Sequence, residues 1–362
     1  MTSALPSAER PRLPALAIGI AGLALSGIGF LVAPRQAYAS WLAALATGLS
    51  LVLGVLLLVA ITAVAGGRWF DPLRSLALDV AATVPLFGVL FLVLIPGLGL
   101  LYPWVRTPRP DTGSWLTVSW FLARAALYFA VWIGVSLTLR RWARAGSPAG
   151  APSNRERILA AAALPALGLS LTFAAFDWLM SLAPDWVSTA FGVYWFAGGF
   201  LAALAQMALV AVVRARGRGE SRLPPALGYG LGALMLTFAV FWAYIAYSQF
   251  FIIWIADVPA ETAWYLPRLR GGWAGLALLL LAGQFVVPLL VLLFRATKLS
   301  VRALGLVALW LLVMHYLDNY WLVLPSFYPH GPHPHWLDLS ALAAVGGTTA
   351  ALIQRLGRPR LA

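Results

Sequence analysis

A small set of charged and amide side chains interrupts the long apolar stretches of this 362-residue chain. Arg124, Asp177 and Gln249 each lie in a separate stretch, and His315 and Asp318 share another. A charge near the centre of a bilayer costs about 2.5 to 3.5 kcal/mol or more, so such residues usually pair with one another or line a pathway. The chemistry open to these five side chains is ion pairing, proton transfer or hydrogen bonding to a polar headgroup.

The spacing of these residues predicts two contacts. Arg124 and Asp177 lie on consecutive antiparallel helices at matching depth, which predicts a buried ion pair. His315, Asp318 and Asn319 occupy one face of a helix, so the imidazole and the carboxylate are expected to meet. Asp177 serves either the ion pair alone or a moving proton as well. The variant Asp177→Asn distinguishes the two roles, because failed assembly indicates a structural pair and lower proton release with intact assembly indicates a proton exit.

All of these polar residues lie in one layer, roughly 8 to 14 Å below the predicted outer surface at a rise of about 1.5 Å per helical residue. The layer predicts a pocket in the outer leaflet that is lined also by Tyr244, Tyr247 and Ser248. Such a pocket either seats a quinone headgroup, whose carbonyl oxygens need hydrogen-bond donors, or forms the outer half of a proton path.

Fewer polar residues lie toward the cytoplasmic side. Asp79 is predicted near the start of the third span, Gln206 in the sixth and Gln284 near the middle of the eighth. A continuous proton path through the chain would need internal water to join these residues to the outer layer.

The elements that position these residues follow from composition. The chain is 62% hydrophobic and 10% charged, with a mean hydropathy of +0.86. Its apolar runs repeatedly reach the length of about 20 residues that a helix needs to cross a bilayer, and they do not alternate as barrel strands do. The sequence therefore predicts an all-α, polytopic membrane protein of ten spans, with a membrane domain over 14–354. The predicted spans are approximately 14–33, 41–65, 79–101, 115–139, 157–183, 187–213, 227–256, 273–294, 302–324 and 337–354.

The distribution of basic residues predicts the orientation. Most of the 25 Lys and Arg residues fall on the side that both termini share. Because cytoplasmic loops carry the excess of basic residues, the N-terminal segment 1–13 and the tail 355–362 are both predicted to be cytoplasmic. The net charge of +13 is then explained by topology and by contact with anionic lipid, and no nucleic-acid partner is expected.

The absence of cysteine and the positions of the four histidines restrict the cofactors that this chain can hold. The chain contains no cysteine, which excludes a thiolate metal site or an iron–sulfur cluster held by this chain. Of its four histidines only His315 lies in a predicted span, so a haem held by two histidines is not expected. The loop "YPHGPHPHW" (328–336) has three histidines, but its prolines and glycine indicate a rigid turn rather than a metal site. We therefore predict no metal and no prosthetic group in this chain.

Three stretches carry a resemblance to a known family. They are "FAAFDWLMSLAPDWVSTAFGVYWFAGG" (173–199), "FWAYIAYSQFFIIWIADVPAETAWYLPR" (241–268) and "HPHWLDL" (333–339). The chain resembles the ActF-type membrane subunits of alternative complex III, a bacterial quinol:electron-acceptor oxidoreductase, within the wider group of NrfD-like and polysulfide-reductase membrane subunits. The resemblance implies two four-helix bundles, about 41–183 and 187–324, flanked by the first and last helices.

The resemblance also implies a role. It indicates a cofactor-free subunit in the bacterial cytoplasmic membrane, beside a sister NrfD-like subunit and iron–sulfur and multihaem c subunits. Such a subunit contributes to quinol-linked proton movement or to assembly, and it is either non-catalytic or in contact with quinone. Relatives carry a histidine where this chain has "VAITAVAGGRW" (59–69), which removes one proton carrier from the cytoplasmic side.

Two alternatives remain. A ten-helix secondary transporter built from two inverted five-helix repeats would show internal similarity between the two halves, and none is visible. A structural scaffold would use Arg124 and Asp177 only to hold helices together, and replacing both by apolar residues would then leave electron transfer and proton release unaltered.

Overall fold

The computed structural model describes residues 13–107, 115–145 and 151–357. Within these ranges the chain is all-α and has ten helical segments long and apolar enough to cross a membrane, so the protein is a multi-pass integral membrane protein. In chain order, spans 1 to 10 are Pro14–Val32, Pro34–Ala65, Arg68–Leu92, Val118–Ala145, Asn154–Leu182, Phe191–Gly217, Pro225–Ala256, Gly271–Leu292, Val301–Ser326 and Trp336–Leu356.

The helix boundaries lie within about four residues of the predicted spans, except at the start of span 2 (Pro34, predicted near 41), at the end of span 4 (Ala145, predicted near 139) and in span 3. This span begins at Arg68 and not near 79, because the helix Asp71–Ala81 precedes its most apolar part, Val84–Leu92. The predicted terminal segments lie mostly outside the described residues. Five of the arginines on which the predicted orientation depends also lie outside the described residues, so the orientation stays a prediction. They are Arg10, Arg12, Arg109, Arg358 and Arg360.

The ten spans pack as two bundles. Spans 2 to 5 form the first and spans 6 to 9 the second, and spans 2 and 6 pack against each other as the most buried helices at the interface between them. Spans 1 and 10 form a tightly packed pair that lies against span 2. This arrangement places span 9 in contact with both span 2 and span 6, so a polar side chain on span 9 can meet partners from either bundle.

Small residues bring the backbones of spans 1 and 10 into contact. A Cβ added at Gly22 would lie 2.3 Å from the backbone nitrogen of Ala344, and one added at Gly19 would lie 2.7 Å from that of Thr348. Since backbone atoms cannot move aside as a flexible side chain can, only glycine allows this approach.

We therefore expect Gly22→Ala to force spans 1 and 10 apart, at a cost of about 1 to 3 kcal/mol. Gly27→Ala is the matched control, because it lies on the same helix and an added Cβ there meets no atom within 4 Å. Thermal unfolding in detergent checks the prediction, and equal melting temperatures for the two variants would contradict it.

Candidate functional site

The ion pair predicted between spans 4 and 5 is present. Arg124 donates from Nε to Oδ2 of Asp177 at 2.8 Å and from Nη2 to Oδ1 at 2.7 Å. The Tyr128 hydroxyl donates to Oδ2 at 2.8 Å, and the guanidinium lies 4.1 Å from the centroid of the Trp115 ring. Both carboxylate oxygens of the fully buried Asp177 are therefore occupied, and the two charges neutralise each other.

The second buried carboxylate in the layer, Asp318 of span 9, receives hydrogen bonds from three other spans. The Tyr194 hydroxyl of span 6 donates to Oδ1. Trp242 Nε1 of span 7 donates to Oδ2 at 3.2 Å, and Gln284 Nε2 of span 8 donates to the same oxygen at 3.4 Å. Among the described residues, no Arg, Lys or His nitrogen lies within 4 Å of this carboxylate. Asp318 therefore differs from Asp177 in having only neutral donors.

Span 8 reaches Asp318 through a π-helical segment. Residues Leu281–Val286 form this wider segment, and Gln284 in its middle is buried. The Trp310 indole of span 9 donates to the carbonyl oxygen of Gly283 at 2.7 Å. Single π-helical turns disturb the helical register and occur often at functional sites, and this one brings an amide side chain to a buried carboxylate.

His315 of span 9 turns toward the first bundle. Its Nε2 lies 2.9 Å from Ser50 Oγ of span 2, and Ser50 Oγ lies 2.7 Å from the carbonyl oxygen of Ala46. Because the serine proton can go to that carbonyl, we infer that the neutral imidazole donates from Nε2 and keeps Nδ1 as an acceptor. Nδ1 is buried and has no hydrogen-bond partner among the described residues.

The predicted hydrogen bond between His315 and Asp318 is absent, because each side chain bonds to a different neighbouring helix. They nevertheless face a common gap beside Gly198. A Cβ added at Gly198 would lie 3.2 Å from Asp318 Oδ2 and 3.6 Å from His315 Nδ1. The absence of a side chain at this position keeps the space between the two groups open.

Gln249 belongs to the second bundle and not to the ion pair. Its Oε1 accepts a hydrogen bond from Ser188 Oγ at 3.1 Å, and its Nε2 donates to the Tyr265 hydroxyl at 3.0 Å. No hydrogen bond within the described part of the chain joins the Arg124–Asp177 pair to Asp318 or Gln249. The predicted layer is therefore divided into a charged pair in the first bundle and a neutral network in the second.

Two residues that were predicted to line the pocket lie on the outer side of span 7. Tyr244 is 63% exposed and Ser248 is half-buried, and neither lines a cavity with Gln249. The physical reason is helical rotation, since positions 244 and 248 lie about 100° to 160° around span 7 from Trp242 and Gln249, which face the bundle. Tyr194 of span 6, which was not predicted, supplies the buried phenol instead.

The residues predicted on the cytoplasmic side have different environments. Asp79 accepts hydrogen bonds from Arg140 Nε at 2.7 Å and Arg144 Nη2 at 3.0 Å, so it is an ion-paired carboxylate. A second buried ion pair, Arg74 with Glu156 at 2.6 Å, was not predicted. Gln206 is half-buried, and its Oε1 has no hydrogen-bond partner among the described residues. Among the residues predicted on this side, Gln284 donates to Asp318, whereas no hydrogen bond within the described residues joins Asp79 or Gln206 to it.

A cavity of about 450 Å³ lies between spans 6 to 9 and the short helix Pro259–Arg268. Seven aromatic residues, with Trp242, Trp264 and Trp321 among them, and nine alanine and leucine residues form its walls, and Gln249 contributes an amide. The cavity adjoins the Asp318 network, because Tyr194 and Trp242 both line it and both donate to Asp318.

Arg268 is buried beside this cavity without a carboxylate partner among the described residues. Its Nη1 donates to the carbonyl of Trp264 and its Nη2 to that of Leu322, both at 2.9 Å, and its guanidinium lies 3.7 Å from the Trp264 ring centroid. Burial lowers the pKa of Arg268 to about 9 and raises the pKa of Tyr265 to about 12. At neutral pH, Arg268 remains charged and holds the helix Pro259–Arg268 against the end of span 9.

No protein-family model matches this chain, and no curated protein matches it.

Proposed function

We propose that this chain is the proton-carrying membrane subunit of a bacterial quinol:electron-acceptor oxidoreductase of the alternative complex III type. The observation that carries the proposal is the buried Asp318 carboxylate, which has three neutral hydrogen-bond donors and no cationic partner among the described residues. An ionisable group inside a membrane is costly, so one that no cation neutralises indicates proton exchange more than helix packing.

The neighbouring groups supply the chemistry that a proton relay needs. Nδ1 of His315 has no hydrogen-bond partner among the described residues, and in the tautomer inferred above it is an acceptor that faces the same gap beside Gly198 as Asp318 Oδ2. A proton on Asp318 can therefore pass to the imidazole across that gap, through a small movement or one water molecule. Tyr194 and Trp242 hold the carboxylate in place from the other bundle helices while this happens.

The electrons in this proposal belong to partner subunits. With no cysteine in the chain and one histidine in a span, the residues for iron–sulfur or two-histidine haem ligation have to come from elsewhere. The partners are a sister NrfD-like subunit and iron–sulfur and multihaem c subunits, with quinol as the electron donor. We place the complex in the cytoplasmic membrane with both termini of this chain in the cytoplasm, as the basic residues predict.

The proposal is tested by purifying the chain from its native host with an affinity tag, in mild detergent. We expect it to bring down subunits with the haem c absorption spectrum and with iron–sulfur clusters, and the preparation to oxidise quinol. Membranes with the untagged chain are the control for non-specific binding. A stable, lone protein without haem c absorption would contradict the proposal, and solute uptake by that protein in vesicles would favour the transporter.

A further inference from the structure

The cavity of the second bundle opens toward lipid. Tyr247 of span 7 and Leu278 of span 8 both line it and are 62% and 66% exposed, so its mouth lies between these two spans. Span 7 packs against the later part of span 8, 281–292, but makes few contacts with its first helix, Gly271–Leu280. The two helices therefore diverge toward the predicted outer end, and a ligand that enters between them has to come from the bilayer.

The side chains that line the cavity restrict the ligand's charge. No Lys, Arg, His, Asp or Glu lines it, so neither an anionic nor a cationic headgroup would find a counter-ion there. The polar groups that do line it include the Tyr265 hydroxyl, which accepts from Gln249 and donates to no described residue. The Tyr247 hydroxyl at the mouth also has no hydrogen-bond partner among the described residues. Two free hydroxyl donors without a charge suit carbonyl oxygens on a neutral ligand.

The shape of the walls restricts the ligand further. Trp242, Trp264, Trp321 and Phe250 present aromatic rings, and the Trp186 ring stacks behind Trp264 at a centroid distance of 4.3 Å. Rings fixed in this way offer stacking surfaces to a flat, conjugated group, and the alanine and leucine side chains of the same lining suit an apolar tail attached to it.

From these three features we propose that the cavity binds the headgroup of an isoprenoid quinone, which enters from lipid between spans 7 and 8. The carbonyl oxygens accept hydrogen bonds from Tyr265 and Tyr247, and the isoprenoid tail leaves through the mouth past Leu278. The identification of the ligand as a quinone rests on the proposed function. The site itself differs from the pocket expected from sequence, since it excludes Tyr244 and Ser248.

A phospholipid is the competing occupant. A neighbouring cavity of about 290 Å³ shares Phe250, Tyr265 and Leu269 with the first and is lined by Arg270, which could hold a phosphate. In that case the headgroup would lie at Arg270, and only an acyl chain would reach the larger cavity. The two occupants thus contact different residues.

The test is photolabelling of the purified full-length protein, with the subunits it retains, by an azido-benzoquinone that carries a short isoprenoid tail. We expect saturable labelling that an unlabelled quinone displaces and added phosphatidylglycerol does not, with the labelled peptides in 242–249 and 274–281, which line the larger cavity only. Ala277→Trp should reduce labelling about tenfold, equivalent to a loss of about 1.4 kcal/mol of binding free energy, because Ala277 lines the cavity. Leu290→Trp is the matched control, since it lies on the same span, is exposed and lines neither the cavity nor the π-helical segment.

Mapping of the labelled peptides in the unmodified protein keeps the test valid if Ala277→Trp fails to fold. Labelling that phosphatidylglycerol displaces, or that maps to the residues around Arg270, would overturn the inference in favour of a phospholipid site. Labelling that does not saturate would overturn it outright. A protein that co-purifies with haem c subunits and is not labelled would leave the proposed function intact and refute only the quinone site. Specific labelling of a chain that lacks such partners would support the quinone site and refute the proposed function.

Discussion

Asp177→Asn is expected to prevent stable folding of the protein. The substitution removes the negative charge opposite Arg124, whose side chain is only 13% exposed, and leaves the guanidinium buried and unneutralised. Breaking a buried ion pair by removing one partner costs about 3 to 5 kcal/mol, a large share of the stability of a typical domain. The measurement is the yield of monodisperse protein after size-exclusion chromatography in detergent, together with its melting temperature.

The double variant Arg124→Leu/Asp177→Leu is the control for this prediction. Replacing both members of a buried pair by apolar residues of similar size is often neutral or stabilising, so the double variant should recover most of the lost yield. Its recovery will be incomplete, because the Tyr128 hydroxyl loses its acceptor. If the single variant instead folds normally and releases fewer protons per electron, Asp177 is a proton carrier and our structural assignment is wrong.

Asp318→Asn is expected to have the opposite phenotype, with intact assembly and severely impaired proton movement. The asparagine Oδ1 can take the place of Oδ2 and accept from Trp242 and Gln284, while its Nδ2 donates to the Tyr194 hydroxyl, and no cation is left unpaired within the described residues. The amide cannot take up and release a proton, so we expect quinol-driven proton movement to slow roughly 100-fold. Protons moved per electron in proteoliposomes that contain the purified complex provide the measurement.

Two further variants serve as comparisons for Asp318→Asn. Asp318→Glu keeps a titratable carboxyl group and should retain part of the proton movement. Asp338→Asn is the matched control, because Asp338 is another buried carboxylate with neutral side-chain donors, Ser40 and Gln36, but lies at the end of span 10 away from the His315 gap. Equal loss of proton movement in Asp318→Asn and Asp338→Asn would contradict a specific role for Asp318.

The Arg124–Asp177 contact was predictable because the connection between spans 4 and 5 makes them antiparallel neighbours. Two opposite charges at one depth on adjacent helices have few alternatives to pairing. The Asp79 pairs were less accessible to sequence reasoning. In the sequence, Arg140 and Arg144 contribute to the count of basic residues that predicts the orientation. The residues around them do not indicate that their side chains pair with Asp79 of span 3.

The neutral network could not be predicted in the same way. His315 meets Ser50 across 265 residues of chain, and Asp318 meets Tyr194 across 124. The first contact depends on how span 9 packs against span 2, and the second on how spans 6 and 9 pack within the second bundle. The error over Tyr244 and Ser248 has a related cause, since span 7 is apolar on all sides and its sequence does not mark which face is buried.

The sequence by itself determined that the chain is a membrane protein and that ten stretches of it, all found as helices in the described residues, are long and apolar enough to span a membrane. These properties depend on residue type and length alone, because the free energy of moving a residue into lipid does not depend on its neighbours to first order. The tertiary structure alone decided which carboxylate has a cation and which has only neutral partners, and where the aromatic cavity opens. Those properties depend on the rotation and contacts of whole helices, so Asp177 and Asp318 look alike in the sequence and differ in the fold.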